Sequence, residues 1–290
     1  MHYEGEHIIR PPSEANSIIL QVTVGCSHNR CTFCGTYKAE RFRLKDEATV
    51  TEDLAFAARY CRRQSRLFLA DGDVLILPQQ RLVSLLTAIR NELPWVNRVS
   101  LYGNAKAIRN KSHAELRELK QLGLDRVYMG LESGHDPTLT AIRKGADSAR
   151  MIAAGQKVRE AGLFLSVTAL LGIAGEAESL THAEATGRVL SAMAPNQIGI
   201  LTLMLLPNTP LFTEAEAGRF RLPDQTGLLR ELRVMVEHLD LARGQLMSNH
   251  ASNYLPINAR LPKDKAAVLA TIDQALTGGV RLKPEYLRAL

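Results

Sequence analysis

An α/β fold, in the form of a partial (β/α)6 barrel of the TIM type with a helical C-terminal extension, is what this 290-residue sequence predicts. Three observations predict it. Short β-rich apolar runs alternate strictly with longer stretches of helical periodicity, which implies parallel strands joined by crossover helices. Six such units can be counted before they run out near residue 207, short of the eight that close a complete barrel. The chain beyond residue 216 has helical periodicity.

The strand runs, in order, are SIILQVTVG (17–25), RLFLADG (66–72), RVSLYGN (98–104), RVYMGLES (126–133), FLSVTALLG (164–172) and QIGILTLMLLP (197–207). The helical patterns between them cover 50–64, 78–94, 112–123, 148–162 and 179–193. Ser112 followed three residues later by Glu115 reads as a capping box, and Gly123 and Gly162 stand where C-terminal glycines belong. Beyond the sixth unit, 226–242 and 264–276 read as helices on either side of a polar segment, SNHASNYLP (248–256). The expected division is an N-terminal arm over 1–16, a barrel core over 17–215 and a helical extension over 216–290 that covers the barrel.

A hydrophobic content of 46% supports a sizeable core. With only four cysteines, a disulfide framework is not expected. The first 17 residues lack the apolar segment of a signal peptide, and the longest apolar run, LFLSVTALLGIAG (163–175), is too short to span a bilayer. The expectation is a soluble, cytoplasmic protein with no membrane partner. A net charge of +6 permits an anionic partner such as RNA, although a dispersed basic surface is the simpler account, so nucleic acid is possible but not favoured.

Three of the cysteines, Cys26, Cys31 and Cys34, fall together in GCSHNRCTFCGTY (25–37), directly after the first strand. Barrels of this kind gather reactive groups at the C-terminal ends of their strands. As one alternative the three thiols with His28 would supply a tetrahedral zinc set, although zinc folds usually bring a second pair from a distant knuckle. The Cys31–Cys34 pair alone is a redox spacing, which leaves Cys26 without a purpose. A four-iron, four-sulfur cluster held by three thiolates leaves its fourth iron open for a substrate. Cys61, inside a helical pattern, reads as a core thiol.

The loop resembles the signature of the radical S-adenosylmethionine (SAM) superfamily, with Phe33 where that family places an aromatic beside the adenine. YMGLESGHDPTLTAIRKG (128–145) resembles the fourth strand and following turn of the branch that contains oxygen-independent coproporphyrinogen oxidases, the elongator catalytic subunit and tRNA methylthiotransferases. GIAGE (172–176) and LPNTPL (206–211) are similar to that branch's turns after strands five and six. The likeness covers roughly residues 15 to 215. One departure stands out: four residues, Ser27 to Arg30, separate the first two cysteines where the family usually has three, so the motif is CX4CX2C.

The resemblance implies a [4Fe-4S] cluster held by Cys26, Cys31 and Cys34, whose open iron chelates the amino and carboxylate groups of SAM. Electron transfer then yields a 5′-deoxyadenosyl radical. It places Asp73, after Gly72 in ADGD (70–73), as an acceptor for the SAM amine, Glu132 at the ribose hydroxyls, Lys144 at the carboxylate and Thr168 at a second ribose contact. Tyr102 and Asn104 are further candidates, and Leu203 and Met204 wall the adenine. Each has a plainer account: a helix cap for Asp73, a strand-end carboxylate for Glu132, a solvated helix-end cation for Lys144, a strand residue for Thr168. In 248–256, His250 and Tyr254 are expected to face the cavity and act on substrate, the alternative being a turn whose side chains satisfy backbone groups.

There is no second cysteine cluster, neither a cobalamin-binding domain before the barrel nor an acetyltransferase after it is expected, and Leu20 stands where coproporphyrinogen oxidase carries a tyrosine. The expected function is a radical SAM enzyme acting on an unidentified small or medium-sized substrate, served by an electron donor such as flavodoxin or ferredoxin. The alternatives are an RNA-modifying radical SAM enzyme and a non-catalytic metal- or heme-carrying protein of the same fold.

Overall fold

The computed structural model describes residues 1–289. In chain order its elements are β1 (Ile18–Gln21), β2 (Thr23–Val24), β3 (Arg43–Leu44), α1 (Glu47–Tyr60), β4 (Arg66–Ala70), α2 (Gln79–Glu92), β5 (Arg98–Tyr102), α3 (Ala105–Asn110), α4 (His113–Gln121) and β6 (Leu124–Glu132). Next come α5 (Asp136–Ala141), α6 (Ser148–Glu160), β7 (Phe164–Leu171), α7 (Ser179–Met193), β8 (Gln197–Thr202), α8 (Pro210–Glu216), α9 (Gln225–Glu237), β9 (Gly244–Met247), β10 (Asn258–Leu261) and α10 (Lys265–Leu276). Eight strands form a mostly parallel sheet in the order β1-β4-β5-β6-β7-β8-β9-β10, and β2 pairs with β3 separately. The six strands expected from the apolar runs are all present.

The chain divides into two compact units. The first comprises 1–29, 36–129 and 157–165. Its strands pair in parallel, with Ile19, Phe68, Ser100 and Arg126 in one register row. Leu67, Leu69, Leu82, Leu86, Leu116 and Leu119 are buried, as strands and helices that share apolar faces require. Asp46 caps α1 by accepting from Thr49 N–H, and the Ser112–Glu115 capping box of α4 is formed in both directions. Such a cap is worth about 1 kcal/mol. Gly123 (φ +107°) takes the left-handed conformation expected past the end of α4. Cys61 departs from its expected place: it is the partly exposed C-cap of α1 rather than a core residue, because the helix ends there.

The second unit comprises 30–35, 130–156 and the chain from Ser166 onward. β7, β8 and β9 run parallel, and β10 returns antiparallel to β9. The extension after 216 is therefore not wholly helical. α9 and α10 form as expected, but β9 and β10 add two strands to the sheet beyond β8. Leu246 faces inward from β9, and Ala259 and Leu261 from β10. Four residues carry too few alternations to be told from loop by pattern.

The N-terminal arm is keyed into the first unit by buried charge. Lys45 and Asp53, both fully buried, pair at 2.6 Å, and Asp53 also accepts from His2 N–H at 2.6 Å. Glu14 is fully buried and accepts from the Tyr128 hydroxyl at 2.7 Å and from Arg98 at 3.1 and 3.2 Å. Burial works to raise its pKa, but hydrogen bonds from Ser17 and Tyr128 and the charge of Arg98 outweigh it and hold the carboxyl below its ordinary value of 4.5. A depressed carboxyl contributes stability above the unfolded pKa and loses it as pH falls through the folded one. Glu14→Gln should therefore cost about 2 kcal/mol at pH 7. The difference from wild type should shrink towards pH 3 in urea unfolding. A loss that stays constant with pH would show that the charge on Glu14 is not what holds the arm.

Candidate cofactor-binding site

The cysteine loop is divided between the units: Cys26 belongs to the first, Cys31 and Cys34 to the second. No cysteine is disulfide-bonded, and each of the three is partly exposed.

In the first unit, Gly25 precedes Cys26 with φ +83°, a conformation that suits a residue without Cβ. Its N–H donates to Asp71 at 3.4 Å, and Asp71 also accepts from Gln21 and from the Tyr37 hydroxyl, both at 3.0 Å. The Ser27 hydroxyl donates to Asp73. Asn104 donates to Asp73 through its backbone N–H (3.1 Å) and its side chain (2.6 Å), reaches Ser27 Oγ at 3.2 Å, and caps α3 with its own oxygen. Gly72 lies against the cysteine: a Cβ there would stand 3.0 Å from Cys26 Cβ and 2.9 Å from the Tyr37 ring. The ADGD turn thus backs the first cysteine, with Asp71 and Asp73 holding the residues on either side of it.

This changes the part expected of Asp73. It is fully buried and both its oxygens already accept from protein donors, so it anchors Ser27 and Asn104 instead of presenting an open acceptor. Burial pushes its carboxyl up to about 6, against the pull of the bonds from Ser27 and Asn104. Burial likewise raises Asp71 and the Tyr37 phenol. Tyr102 stands edge-on to Phe68 (5.1 Å between centroids) and Tyr128 (6.0 Å), and its phenol is also raised by burial.

In the second unit, residues 30–35 are fastened by two turns. Thr32 N–H donates to Ile142 O, Leu211 N–H donates to Thr32 O, both at 3.0 Å, and Asn208 Nδ2 donates to Gly35 O at 2.9 Å. A Cβ on Gly35 would lie 2.3 Å from Asn208 Oδ1, so this clamp requires glycine directly after Cys34. Phe33 packs against an apolar cluster of Leu139, Ile142, Leu170, Ile173, Leu203 and Leu211. Two of the residues expected around adenine, Phe33 and Leu203, are therefore brought together; Met204 is half-buried just beyond β8.

The expected SAM contacts Glu132 and Lys144 also meet. Glu132 ends β6 with φ +65°, and Lys144 Nζ donates to its Oε1 at 2.9 Å. The two side chains are only 11% and 13% exposed. A Cβ on Gly130 would fall 2.2 Å from Glu132 Oε1 and 2.9 Å from Lys144 Nζ, so the pair exists because position 130 is glycine. Thr168 sits on β7 in register with Gly199.

His250 and Tyr254 have other partners. His250 Nδ1 bonds Ser252 Oγ at 2.9 Å, and the Tyr254 hydroxyl pairs with Glu285 and accepts from Arg288 at 2.6 Å. Nearby, Asn253 donates to Ile200 O and Ser248 Oγ and accepts from Thr202. The segment is a turn that satisfies β8 and fastens the C-terminal residues, so the substrate-facing part expected of these two side chains is not what the geometry supports. Sequence reasoning missed Asp71, Tyr37, Gly35, Asn208 and Gly130. Only Gly35, placed directly after a cysteine, and Asn208, inside LPNTPL, carried a local signal.

Among the described residues, no three His, Cys, Asp or Glu side chains stand gathered as a preformed metal position. The loop offers its donor chemistry: three thiols within nine residues, soft ligands suited to iron–sulfur ligation. Gathering of ligands on binding is the usual coupling of metal and fold. The second unit thus holds both a nearly buried carboxylate–ammonium pair and an apolar cluster against Phe33.

The family model of the Radical SAM superfamily matches residues 20–182, more than half of the chain. No curated protein sequence matches. Among solved structures, the radical SAM methyltransferase TsrM from Kitasatospora setae, with cobalamin and a [4Fe-4S] cluster bound, aligns at TM-score 0.53 and 20% identity, over 71% of this chain and 41% of that one. Coproporphyrinogen III oxidase from Escherichia coli aligns at TM-score 0.56 and 16% identity, over 76% of this chain and 51% of that one. Methylornithine synthase aligns at 0.53 and 15%, over 78% and 63%. These likenesses establish the fold, and the chain spans only about half the length of the structures it resembles. No helix among the described residues is long and apolar enough to cross a membrane.

The buried Asp73 makes a checkable statement about the protein without cofactors. A carboxyl whose folded pKa is raised from 3.8 to about 6 contributes stability below the lower value and loses it as pH rises through the higher one. Asp73→Asn cannot ionise. In urea unfolding, the variant's stability relative to wild type should move in its favour by about 3 kcal/mol between pH 3 and pH 7, at roughly 1.4 kcal/mol for each pH unit separating the two pKa values. A difference that does not change with pH would mean that Asp73 is not desolvated.

Proposed function

Because this chain belongs to the radical SAM superfamily, enzymes that work with a [4Fe-4S] cluster and SAM, we propose that it holds the cluster through Cys26, Cys31 and Cys34 and cleaves SAM reductively. The observation that carries this reading is the construction of the loop. Each half is fastened by hydrogen bonds from side chains and backbone other than its cysteines, through Asp71, Asp73 and Asn104 in one unit and Ile142, Asn208 and Leu211 in the other. When bound, cluster and SAM together supply an electron-driven cleavage that gives a 5′-deoxyadenosyl radical.

This chain's residues bind and orient. Glu132 accepts from the ribose hydroxyls, and Lys144 holds the Glu132 carboxylate in place while offering its charge to the SAM carboxylate. Phe33 and Leu203 present the apolar cluster to adenine. Asp73 keeps Ser27 and Asn104 fixed beside Cys26. The substrate is a small or medium-sized molecule, the electrons come from a donor such as flavodoxin or ferredoxin, and the compartment is the cytoplasm.

Anaerobic reconstitution should give about four irons per chain, as for one four-iron cluster, and conversion of SAM to 5′-deoxyadenosine with dithionite. Alanine at Cys26, Cys31 or Cys34 should abolish the conversion, and Cys61→Ala should not. One equivalent of zinc with no uptake of iron would refute the proposal.

A further inference from the structure

A second set of titratable groups lies wholly inside the second unit, apart from the thiols and from the Glu132–Lys144 pair. Ser133, His182, Thr186 and Glu231 are fully buried, and Ser179 nearly so. Glu231 comes from α9, well beyond the residues that the family model matches. His182 Nδ1 lies 2.7 Å from Ser133 Oγ, and its Nε2 lies 3.2 Å from Leu170 O and 3.3 Å from Glu231 Oε1. Glu231 Oε1 accepts from Gly172 N–H at 2.6 Å, and Oε2 accepts from the Ser179 hydroxyl. Ser133 Oγ accepts from His135 N–H at 3.0 Å, and Thr186 Oγ1 accepts from Gly134 N–H at 2.8 Å while donating to His182 O at 2.6 Å.

One assignment of protons serves every member. Leu170 O and an ionised Glu231 can only accept, so His182 carries its proton on Nε2. Its Nδ1 then accepts from the Ser133 hydroxyl, which leaves Ser133 Oγ to receive His135 N–H. A fully satisfied buried network of this kind is rigid, and one missing member leaves buried groups unpaired.

The network grips two turns. Ser133, Gly134 and His135 directly follow Glu132, whose φ of +65° is uncommon for a residue with a side chain, so the turn must be held from outside. Gly172, with φ +82°, opens the GIAGE turn after β7. We infer that Glu231 and His182 are positioning residues: through Ser133 and Gly172 they hold the turns after β6 and β7 so that the Glu132 carboxylate is set for SAM. The inference rests on Glu132 being a SAM contact, and it makes α9 a part of the cofactor site.

The test uses the full chain with cluster reconstituted. Glu231→Gln keeps the volume but offers one acceptor oxygen in place of two. Circular dichroism and iron content should match wild type, while SAM binding by calorimetry weakens at least tenfold. Ser133→Ala, which keeps the carboxylate and removes only the link from His182 to the turn, should weaken SAM severalfold. In both variants the amides of Gly134 and His135 should exchange hydrogen faster. In ¹⁵N spectra of unloaded wild type, His182 should show the Nε2–H tautomer, and Ser133→Ala should change its Nδ1 signal. Folded variants that bind SAM within twofold of wild type overturn the inference, as does a His182 protonated on Nδ1 alone. If Glu231→Gln fails to fold, Ser133→Ala decides by the same criterion. Wild type that does not bind SAM at all would instead refute the reading of Glu132.

Discussion

A loop whose thiols are proposed to take a metal must be held by something other than those thiols, and the arrangement around residues 25–35 obeys that constraint. Ordering each residue of such a segment costs about 1–2 kcal/mol of backbone entropy, which thiols waiting for a ligand cannot offset. The first half meets this cost through Asp71 and Asp73, whose carboxylates receive Gly25, Ser27 and Asn104. The second half meets it through main-chain bonds to Ile142 and Leu211 and the side chain of Asn208. The glycines at 72 and 35 belong to the same requirement, because a Cβ at either would enter the space of the anchors or of the cysteine itself.

The same shortage of space recurs at Glu132. Its pairing with Lys144 depends on a glycine two residues earlier, and its left-handed backbone depends on the turn beyond it being held. Removing Lys144 would leave a nearly buried carboxylate without its cation, so the pair is a constraint on stability as well as the proposed contact for SAM. The extension after residue 216 enters this picture as structure: α9 supplies Glu231, and β9 and β10 lengthen the sheet beyond β8.

Much of this was legible in the sequence where chemistry and local pattern coincide. The six parallel strands are apolar runs long enough to be distinguished from loop, and Ser112 with Glu115 announces its helix because a capping box is local. Cys26, Cys31 and Cys34 draw attention because clustered thiols have few other uses. The features that were not legible depend on distance along the chain. The clamp of Asn208 on Gly35 joins residues 173 apart, and no pattern within either segment encodes it. Asp73 was visible as a polar strand-end residue, but its burial under Ser27 and Asn104 is a tertiary fact. His250 and Tyr254 attracted a catalytic reading because polar density looks alike whether it serves a ligand or a turn, and here it serves the turn. β9 and β10 escaped because four residues do not establish a period.

In the proposed function the anchors of the cysteine loop, and not the thiols alone, are what let it hold a cluster. The most direct measurement of this is iron bound per chain after anaerobic reconstitution of Asn208→Ala beside the wild type. About four irons are expected in the wild type, as for one four-iron cluster. Less than half that is expected in the variant, with helical content and melting close to wild type because Asn208 is a side chain on a surface turn. Full iron content in Asn208→Ala would contradict the role given to the anchors.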